Sequence, residues 1–173
     1  MTQTKSSTRY SDQRIPGNRF LHSPGPTHVP EAVQNALRRQ PMDLGDPRLD
    51  ETIAACESGL KRLLGTQDAD VFMYAANGHG AWEATVVNLL APGQKVLIAG
   101  TGHFSESWAI QTEAMGVTVL RTPYVEGLTI DMAAVEAALR ADTQHDIVAL
   151  FVVHTDTASG TTNDLQVFRQ LLD

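Results

Sequence analysis

One stretch of the sequence decides the fold: DVFMYAANGHGAWEATVVNLL, residues 70–90. Its first seven residues read as a buried strand, residues 77–80 as a glycine-containing turn, and the remainder as a helix. Such a turn points the free N–H groups of the helix's first turn out of the end of the sheet, where the helix dipole favours an anion. Because Gly78 and Gly80 have no Cβ, a phosphate can approach the backbone closely. Residues 77–80, the phosphate cup, thus predict a site for a phosphorylated cofactor, and an ordinary strand-to-helix connection remains the alternative.

The rest of the chain alternates predicted helices and strands. Helices are predicted at 30–39, from 46 or 47 to 64, at 104–115, at 132–141 and, after a cap at Asn163 or Asp164, up to 172, and strands at 95–99, 117–120 and 147–153. Gly65 is expected to end the second helix and Asp131 to cap the helix at 132–141. The last of these strands, IVALFVV, is a continuous apolar run, which is typical of a strand buried on both faces. This alternation predicts an α/β fold with a mostly parallel sheet and helices on both faces. Residues 1–19 are expected to form a flexible N-terminal tail, and residues 20–173 to form one domain.

Composition excludes several classes of function. The 173 residues are 42% apolar and 19% charged, which is typical of a globular domain. A net charge of −7 argues against a nucleic-acid partner, because binding a phosphate backbone needs clustered Lys and Arg. No apolar run approaches the roughly 18–20 residues of a membrane span, so no membrane partner is expected. The single cysteine, Cys56, cannot form an internal disulfide, which favours a reducing compartment and a cytoplasmic location.

Three loops follow predicted strands, at 77–80, 100–104 and 154–160. In a parallel sheet, ligands bind at the carboxyl ends of the strands, so these loops are the candidate site. His79 either contacts a ligand or faces solvent in its turn, and Phe104 either lies flat on a heterocycle or packs in the core. The third loop, HTDTASG, carries an imidazole, a carboxylate and three hydroxyls. That density of hydrogen-bonding groups is more than the capping of the next helix requires.

Several chemistries fail on sequence context. The phosphate cup is neither G-x-G-x-x-G nor G-x-x-x-x-G-K-[ST], so neither a dinucleotide fingerprint nor a P-loop applies. A hydrolytic triad within the 154–160 loop lacks the G-x-S-x-G elbow, and residues so close in one loop cannot align as nucleophile, base and orienting group. His79, His103 and His154 could converge, but none has a partner at metal-ligand spacing, so no metal site is predicted.

Four pieces of the sequence together resemble one family. They are SPGPTHVP (23–30), NGHGAWEA (77–84), PGQKVL (92–97) and HTDTASG (154–160). The chain resembles the class V, fold-type-I aminotransferases that use pyridoxal 5′-phosphate (PLP), and most of all the alanine–glyoxylate and serine–glyoxylate group. The resemblance extends over about residues 20–172 and implies the large PLP-binding domain of such an enzyme.

The resemblance implies roles for residues in each loop. Gly78, His79 and Gly80 would hold the cofactor phosphate at the helix start, Phe104 would stack on the pyridine ring, and the Thr157 hydroxyl would reach the ring's oxygen substituent. Pro24 and Gly25 would line the substrate side. Asp156 stands where many members have Glu, which leaves the amino donor open.

The resemblance also implies residues that this sequence lacks. PLP chemistry needs a lysine that forms the Schiff base and an acid that pairs with the pyridine nitrogen. Family members carry both beyond the 154–160 loop, and the three lysines here, Lys5, Lys61 and Lys95, are poorly placed to serve. The chain is therefore expected to be the N-terminal portion of the domain, truncated before the Schiff-base lysine, with no catalytic residue of its own and no activity alone.

The complete protein would be a homodimer that moves an amino group from alanine or serine to glyoxylate or a similar 2-oxo acid. Two alternatives remain open at this point. One is a non-catalytic α/β module that binds a phosphorylated ligand, and the other is a class V PLP enzyme with a different amine donor.

Overall fold

The computed structural model describes Gly17, Leu21, Ser23 and residues 25–173. Pro24 and, apart from Gly17, the predicted tail lie outside the described residues. The chain divides into two units, Met1–Val71 and Phe72–Asp173. Among the described residues, no helix has both the length and the apolar character that a membrane crossing demands.

The described part of the first unit contains two helices, α1 (Glu31–Leu37) and α2 (Pro47–Leu63). Local signals set the bounds of α2, as predicted. Asp46 caps its start by accepting a hydrogen bond from the Arg48 N–H at 3.0 Å. At its end, Gly65 takes a φ of 66°, a left-handed conformation that glycine adopts at little cost, and the N–H of Thr66 donates to the Lys61 carbonyl.

The second unit is built on a three-stranded parallel sheet. Its strands are β1 (Lys95–Ile98), β2 (Thr118–Arg121) and β3 (Ile147–Phe151), in the order β2-β1-β3. Four helices accompany them: α3 (Gly78–Leu89) precedes β1, α4 (His103–Ala114) and α5 (Met132–Ala141) connect the strands, and α6 (Leu165–Leu172) follows β3. The α/β class and the parallel sheet are therefore confirmed.

Alternating side chains of the central strand β1 fill two separate cores. Val96 and Ile98 pack with Val86 of α3 and Ala109 of α4 on one face of the sheet. Leu97 packs on the other face, in a cluster that includes Val135 of α5 and Phe168 of α6. Helices thus cover both faces of the sheet, as the alternation of helices and strands predicts.

Three details differ from the sequence-based expectation. Residues 70–76 do not form a strand, and Phe72 is 85% exposed. A strand needs a neighbour for its backbone groups, and no described strand bonds this segment. Val148 is 50% exposed, so β3, at an edge of the described sheet, is not buried on both faces. The 154–160 loop also contains pairing that was not predicted, between β4 (Thr155–Asp156) and β5 (Thr161–Thr162), which are antiparallel.

Candidate functional site

The first turn of α3 presents backbone donors to solvent. Asn77 caps the helix, and its carbonyl and Oδ1 both accept from the Gly80 N–H, at 3.0 and 3.3 Å. In the part of the chain that the structure describes, no acceptor bonds the N–H groups of Gly78 and His79, and both residues are exposed. These two donors and the helix dipole are the groups that the sequence predicts to bind an anion, and the binding itself stays a prediction.

The two glycines of the phosphate cup have different surroundings. A Cβ at Gly78 would meet nothing within 4 Å, whereas one at Gly80 would lie 2.6 Å from the Ala76 Cβ. Open space at Gly78 leaves room for a ligand beside the backbone. At Gly80 the missing Cβ allows the preceding segment to pack, and its N–H is already bonded within the turn. The binding role of Gly80 stays a prediction.

Aromatic rings connect the phosphate cup to the start of α4. The Trp82 ring makes edge contacts with His79 at 4.8 Å and with Phe104 at 6.2 Å between centroids. Trp82 also stacks on Trp108 at 5.5 Å, and Trp108 stacks on Phe151 of β3 at 4.3 Å. His79 and Phe104, which are 25 positions apart in sequence, therefore both contact one indole.

A hydrogen bond makes a second connection between the same two helices. Gln111 of α4 donates from Nε2 to the His79 carbonyl at 3.0 Å. Gln111 is not evident from the sequence as a site residue, because a glutamine within a helix carries no local signal of such a contact. From the sequence alone, Trp82 and Trp108 are expected to pack between helices, which agrees with their stacking, but the contacts of Trp82 with His79 and Phe104 are not evident from it.

The loop between β1 and α4 is held by buried side-chain bonds. Thr122 Oγ1 accepts from the Gly100 N–H at 2.8 Å. Ser105 Oγ accepts from the N–H groups of Thr101 at 3.0 Å and Gly102 at 3.1 Å, and it donates to the Gly102 carbonyl. Phe104 follows directly, as the second residue of α4, so its ring projects from a fixed backbone.

The 154–160 loop turns around Thr157. Asp156 has no exposed surface, and its Oδ1 accepts from the N–H groups of Ala158 at 2.9 Å and Ser159 at 3.4 Å. The Gly160 N–H closes the turn by donating to the Asp156 carbonyl at 2.8 Å. Thr157 lies inside this turn and is exposed. The arrangement therefore presents the Thr157 side chain on a backbone that is bonded on both sides.

Asn163 anchors the base of the same loop. It is buried, and its Nδ2 donates to the Val153 carbonyl at 2.8 Å while its Oδ1 accepts from the Ile130 N–H at 2.9 Å. The sequence left open whether Asn163 or Asp164 caps α6. Asp164 is the cap, since its Oδ1 accepts from the Gln166 N–H at 2.9 Å.

Two glutamates of α4, Glu106 in its first turn and Glu113 in its last, form an ion-pair network with β2. Arg121, the last residue of β2, contacts Glu113 with N–O distances of 2.6 and 2.7 Å and Glu106 at 3.2 Å. The Arg121 guanidinium holds the pKa of Glu113 below its ordinary value through this hydrogen bond, and the same bond raises the pKa of Arg121. The network ties β2 to α4 on the surface of the unit.

The lysine nearest in sequence to these loops lies at the far end of the central strand. Lys95 begins β1, and its Nζ pairs with Asp146 at 2.9 Å. The candidate loops follow the carboxyl end of that strand, beyond Ile98. Within the described residues, no group of three or more His, Cys, Asp or Glu side chains could hold a metal ion.

The structure brings together most of the predicted site. His79 and Phe104 meet at Trp82, and the loop before Phe104 meets the 154–160 loop where a Cβ on Gly102 would lie 2.7 Å from Asp156 Oδ2. Gly25 belongs to the first unit and Pro24 lies outside the described residues, so their substrate contacts stay predictions. Free N–H groups beside an open space, a half-buried aromatic ring and an exposed hydroxyl fit a ligand with a phosphate and a flat polar ring.

Comparisons with known proteins agree on one family. The family described as Aminotransferase class-V matches residues 19–173. The L-aspartate–glyoxylate aminotransferase of Paracoccus denitrificans is 36% identical over 152 residues, which are 87% of this chain and 38% of that protein. The serine–glyoxylate aminotransferase of Methylorubrum extorquens is 34% identical over 160 residues, 92% of this chain and 40% of that protein. The chain thus spans about two fifths of the length of these curated relatives.

The fold has a counterpart among solved structures. A crystal structure of an alanine–glyoxylate aminotransferase from Nostoc superposes on this chain with a TM-score of 0.72 at 24% identity. The superposition covers 94% of this chain and 43% of the Nostoc chain. This likeness extends the agreement from sequence to the arrangement of helices and strands.

Proposed function

The chain belongs to the class V aminotransferase family, whose members depend on PLP, and from that premise we propose that residues 20–173 form the N-terminal part of the cofactor-binding domain of a transaminase. The observation that carries the proposal is the exposed first turn of α3, where, among the described residues, Gly78 leaves open space beside two N–H groups without acceptors. A phosphate is the ligand that such a turn favours.

Each loop has its own part in holding the cofactor. The N–H groups of Gly78 and His79 donate to the phosphate, and the Phe104 ring stacks on the flat heterocycle. The Thr157 hydroxyl donates to the oxygen substituent of the ring. PLP, when bound, supplies an electron sink for the amino acid that reacts on it. The residues described here bind and orient this group, and none of them carries the proton transfer.

The proposed reaction moves an amino group from alanine or serine to glyoxylate or a similar 2-oxo acid. The two relatives above support glyoxylate as the acceptor, because both are named as glyoxylate aminotransferases. Their donors differ, and the aspartate-using relative favours a second candidate, a class V enzyme with another amine donor. The complete protein is proposed to be a cytoplasmic homodimer, in line with the family resemblance.

We expect no transamination from these 173 residues alone. Lys95 is paired with Asp146 at the opposite end of β1, Lys61 lies on α2 of the first unit, and Lys5 lies outside the described residues. Mixing the chain with PLP, alanine or serine, and glyoxylate should give the rate of the free cofactor. Turnover that disappears in Lys95→Ala or Lys61→Ala would contradict this expectation.

A binding experiment separates the transaminase proposal from a module for any phosphorylated ligand. The probe is 4-deoxypyridoxine 5′-phosphate, which lacks the aldehyde and so cannot react with lysines. We expect it to bind more tightly than either 4-deoxypyridoxine or inorganic phosphate, as measured by calorimetry. Gly78→Val should weaken its binding by crowding the phosphate, whereas Trp82→Phe should do far less harm.

Two outcomes would contradict the proposal. Equal affinity of Gly78→Val and the parent chain for the probe would show that Gly78 is not part of the binding site. Equal affinity for the probe and inorganic phosphate would favour the non-catalytic module that binds a phosphorylated ligand.

A further inference from the structure

One carboxylate oxygen of Asp156 takes no part in the hydrogen bonds that form the 154–160 loop. Oδ1 accepts from two backbone N–H groups of the 154–160 loop, but Oδ2 is buried and has no hydrogen-bond partner in the described part of the chain. Buried polar atoms in proteins are nearly all bonded, so an exception calls for an explanation. The exception here lies next to the residue that the family resemblance assigns to the cofactor ring, Thr157.

Oδ2 points at the start of α4. A Cβ on Gly102 would lie 2.7 Å from it, so the carboxylate occupies the space that only a glycine leaves free. Gly102 is the N-cap of α4, and its own N–H is already bonded to Ser105 Oγ. The carboxylate therefore packs against the helix end itself, where the positive end of the helix dipole stabilises a negative charge.

We propose that Asp156 is a positioning residue that joins the 154–160 loop to the start of α4, and so sets the distance between Thr157 and Phe104 across which the cofactor ring binds. Thr157 lies in the turn that Oδ1 closes, and Phe104 is two residues after the glycine that Oδ2 contacts. One side chain thus fixes both members of the ring site. This inference rests on the proposed function for its ligand, but the joining of the two loops does not.

Substituting an amide separates the two roles of the carboxylate. Asn has the shape of Asp but only one acceptor oxygen. In Asp156→Asn, either the amide keeps the bonds to Ala158 and Ser159 and turns its NH₂ toward the α4 N-terminus, or it loses those bonds. In both cases the side chain no longer holds the two loops together, so each loop loses the support that the other gave it. Asp156→Glu keeps the charge and serves as the conservative variant.

The first measurement needs no ligand. Amide hydrogen exchange of Asp156→Asn should be about tenfold faster than in the parent in two separate segments, 100–106 and 154–160. The matched control is Asp164→Asn, which changes the same functional group at the exposed cap of α6 and should affect only 164–168. Faster exchange confined to 154–160 in Asp156→Asn would overturn the joining of the loops.

The second measurement uses two probes on the same variants. For Asp156→Asn we expect about tenfold weaker binding of 4-deoxypyridoxine 5′-phosphate and unchanged binding of inorganic phosphate, because the phosphate cup on α3 is untouched. Asp156→Glu should recover most of the loss. Equal weakening of both probes, or no weakening of either, would overturn the positioning role. A parent chain that binds phosphate but shows no preference for the ring probe would instead refute the proposed function, while the exchange result would still decide whether Asp156 joins the loops.

Discussion

Two glycines in the phosphate cup, two positions apart, should respond oppositely to the same substitution. Gly80→Ala places a methyl group 2.6 Å from the Ala76 Cβ, well inside ordinary carbon–carbon contact. Overpacking of this kind costs about 1–3 kcal/mol of stability. Gly78→Ala finds open space and gains up to about 1 kcal/mol, because alanine loses less backbone entropy than glycine in a helix.

Thermal unfolding followed by circular dichroism gives the comparison, since 1 kcal/mol corresponds to a Tm shift of about 2–4 °C in a domain of this size. We expect Gly80→Ala to melt several degrees below Gly78→Ala. The double variant Ala76→Gly/Gly80→Ala should regain most of the loss, because it removes the methyl group that the new Cβ meets. If Gly80→Ala were as stable as Gly78→Ala, or if Ala76→Gly gave no recovery, the contact between residues 76 and 80 would not be what requires a glycine.

Three further predictions concern stability. Asp131→Ala removes a side chain that accepts from the N–H groups of Ala133 and Ala134 at the start of α5, and it should cost about 1 kcal/mol in urea unfolding. Glu113→Gln should cost about 0.2–1 kcal/mol at pH 6, since the pair with Arg121 is partly exposed. Because the folded pKa of Glu113 is lowered, this contribution is present above its ordinary value of 4.5 and is lost as the pH falls through the folded value, so parent and variant should converge in acid. Asn163→Ala leaves the buried Ile130 N–H without its acceptor and should cost about 1–3 kcal/mol, measured against the exposed control Asp164→Asn.

The parts of the fold that sequence predicts correctly are those whose signals are local. Gly65 follows the end of α2 and Asp131 caps α5, as expected from the residues themselves, and α2 begins at Pro47, one of the two starts that the sequence allows. The prediction of a strand at 70–76 is wrong, because an apolar segment forms a buried strand only where a neighbouring strand can bond it. An isolated apolar segment carries no information about whether that neighbour is present.

The candidate site likewise has features that follow from the sequence and features that do not. Parallel topology places the 100–104 and 154–160 loops at one edge of the sheet, so their proximity follows from the alternation of strands and helices. The contacts that join the loops do not follow from it. Gln111 reaches the His79 carbonyl across 32 positions, and Asp156 meets Gly102 across 54, through side-chain packing between elements that are distant in sequence.

Glycine shows most clearly what the sequence leaves undecided. A glycine in a loop after a strand indicates only that no Cβ is tolerated or needed there. At Gly100 the missing Cβ makes room for the Thr122 carbonyl, at 2.3 Å from where that Cβ would lie, and at Gly102 it makes room for the Asp156 carboxylate. Beside Gly78, no atom of the described residues fills the space. Of Gly78, Gly100 and Gly102, only Gly78 therefore leaves a position that a ligand can take. At the other two, groups of the protein occupy the space, and this allows its loops to pack together.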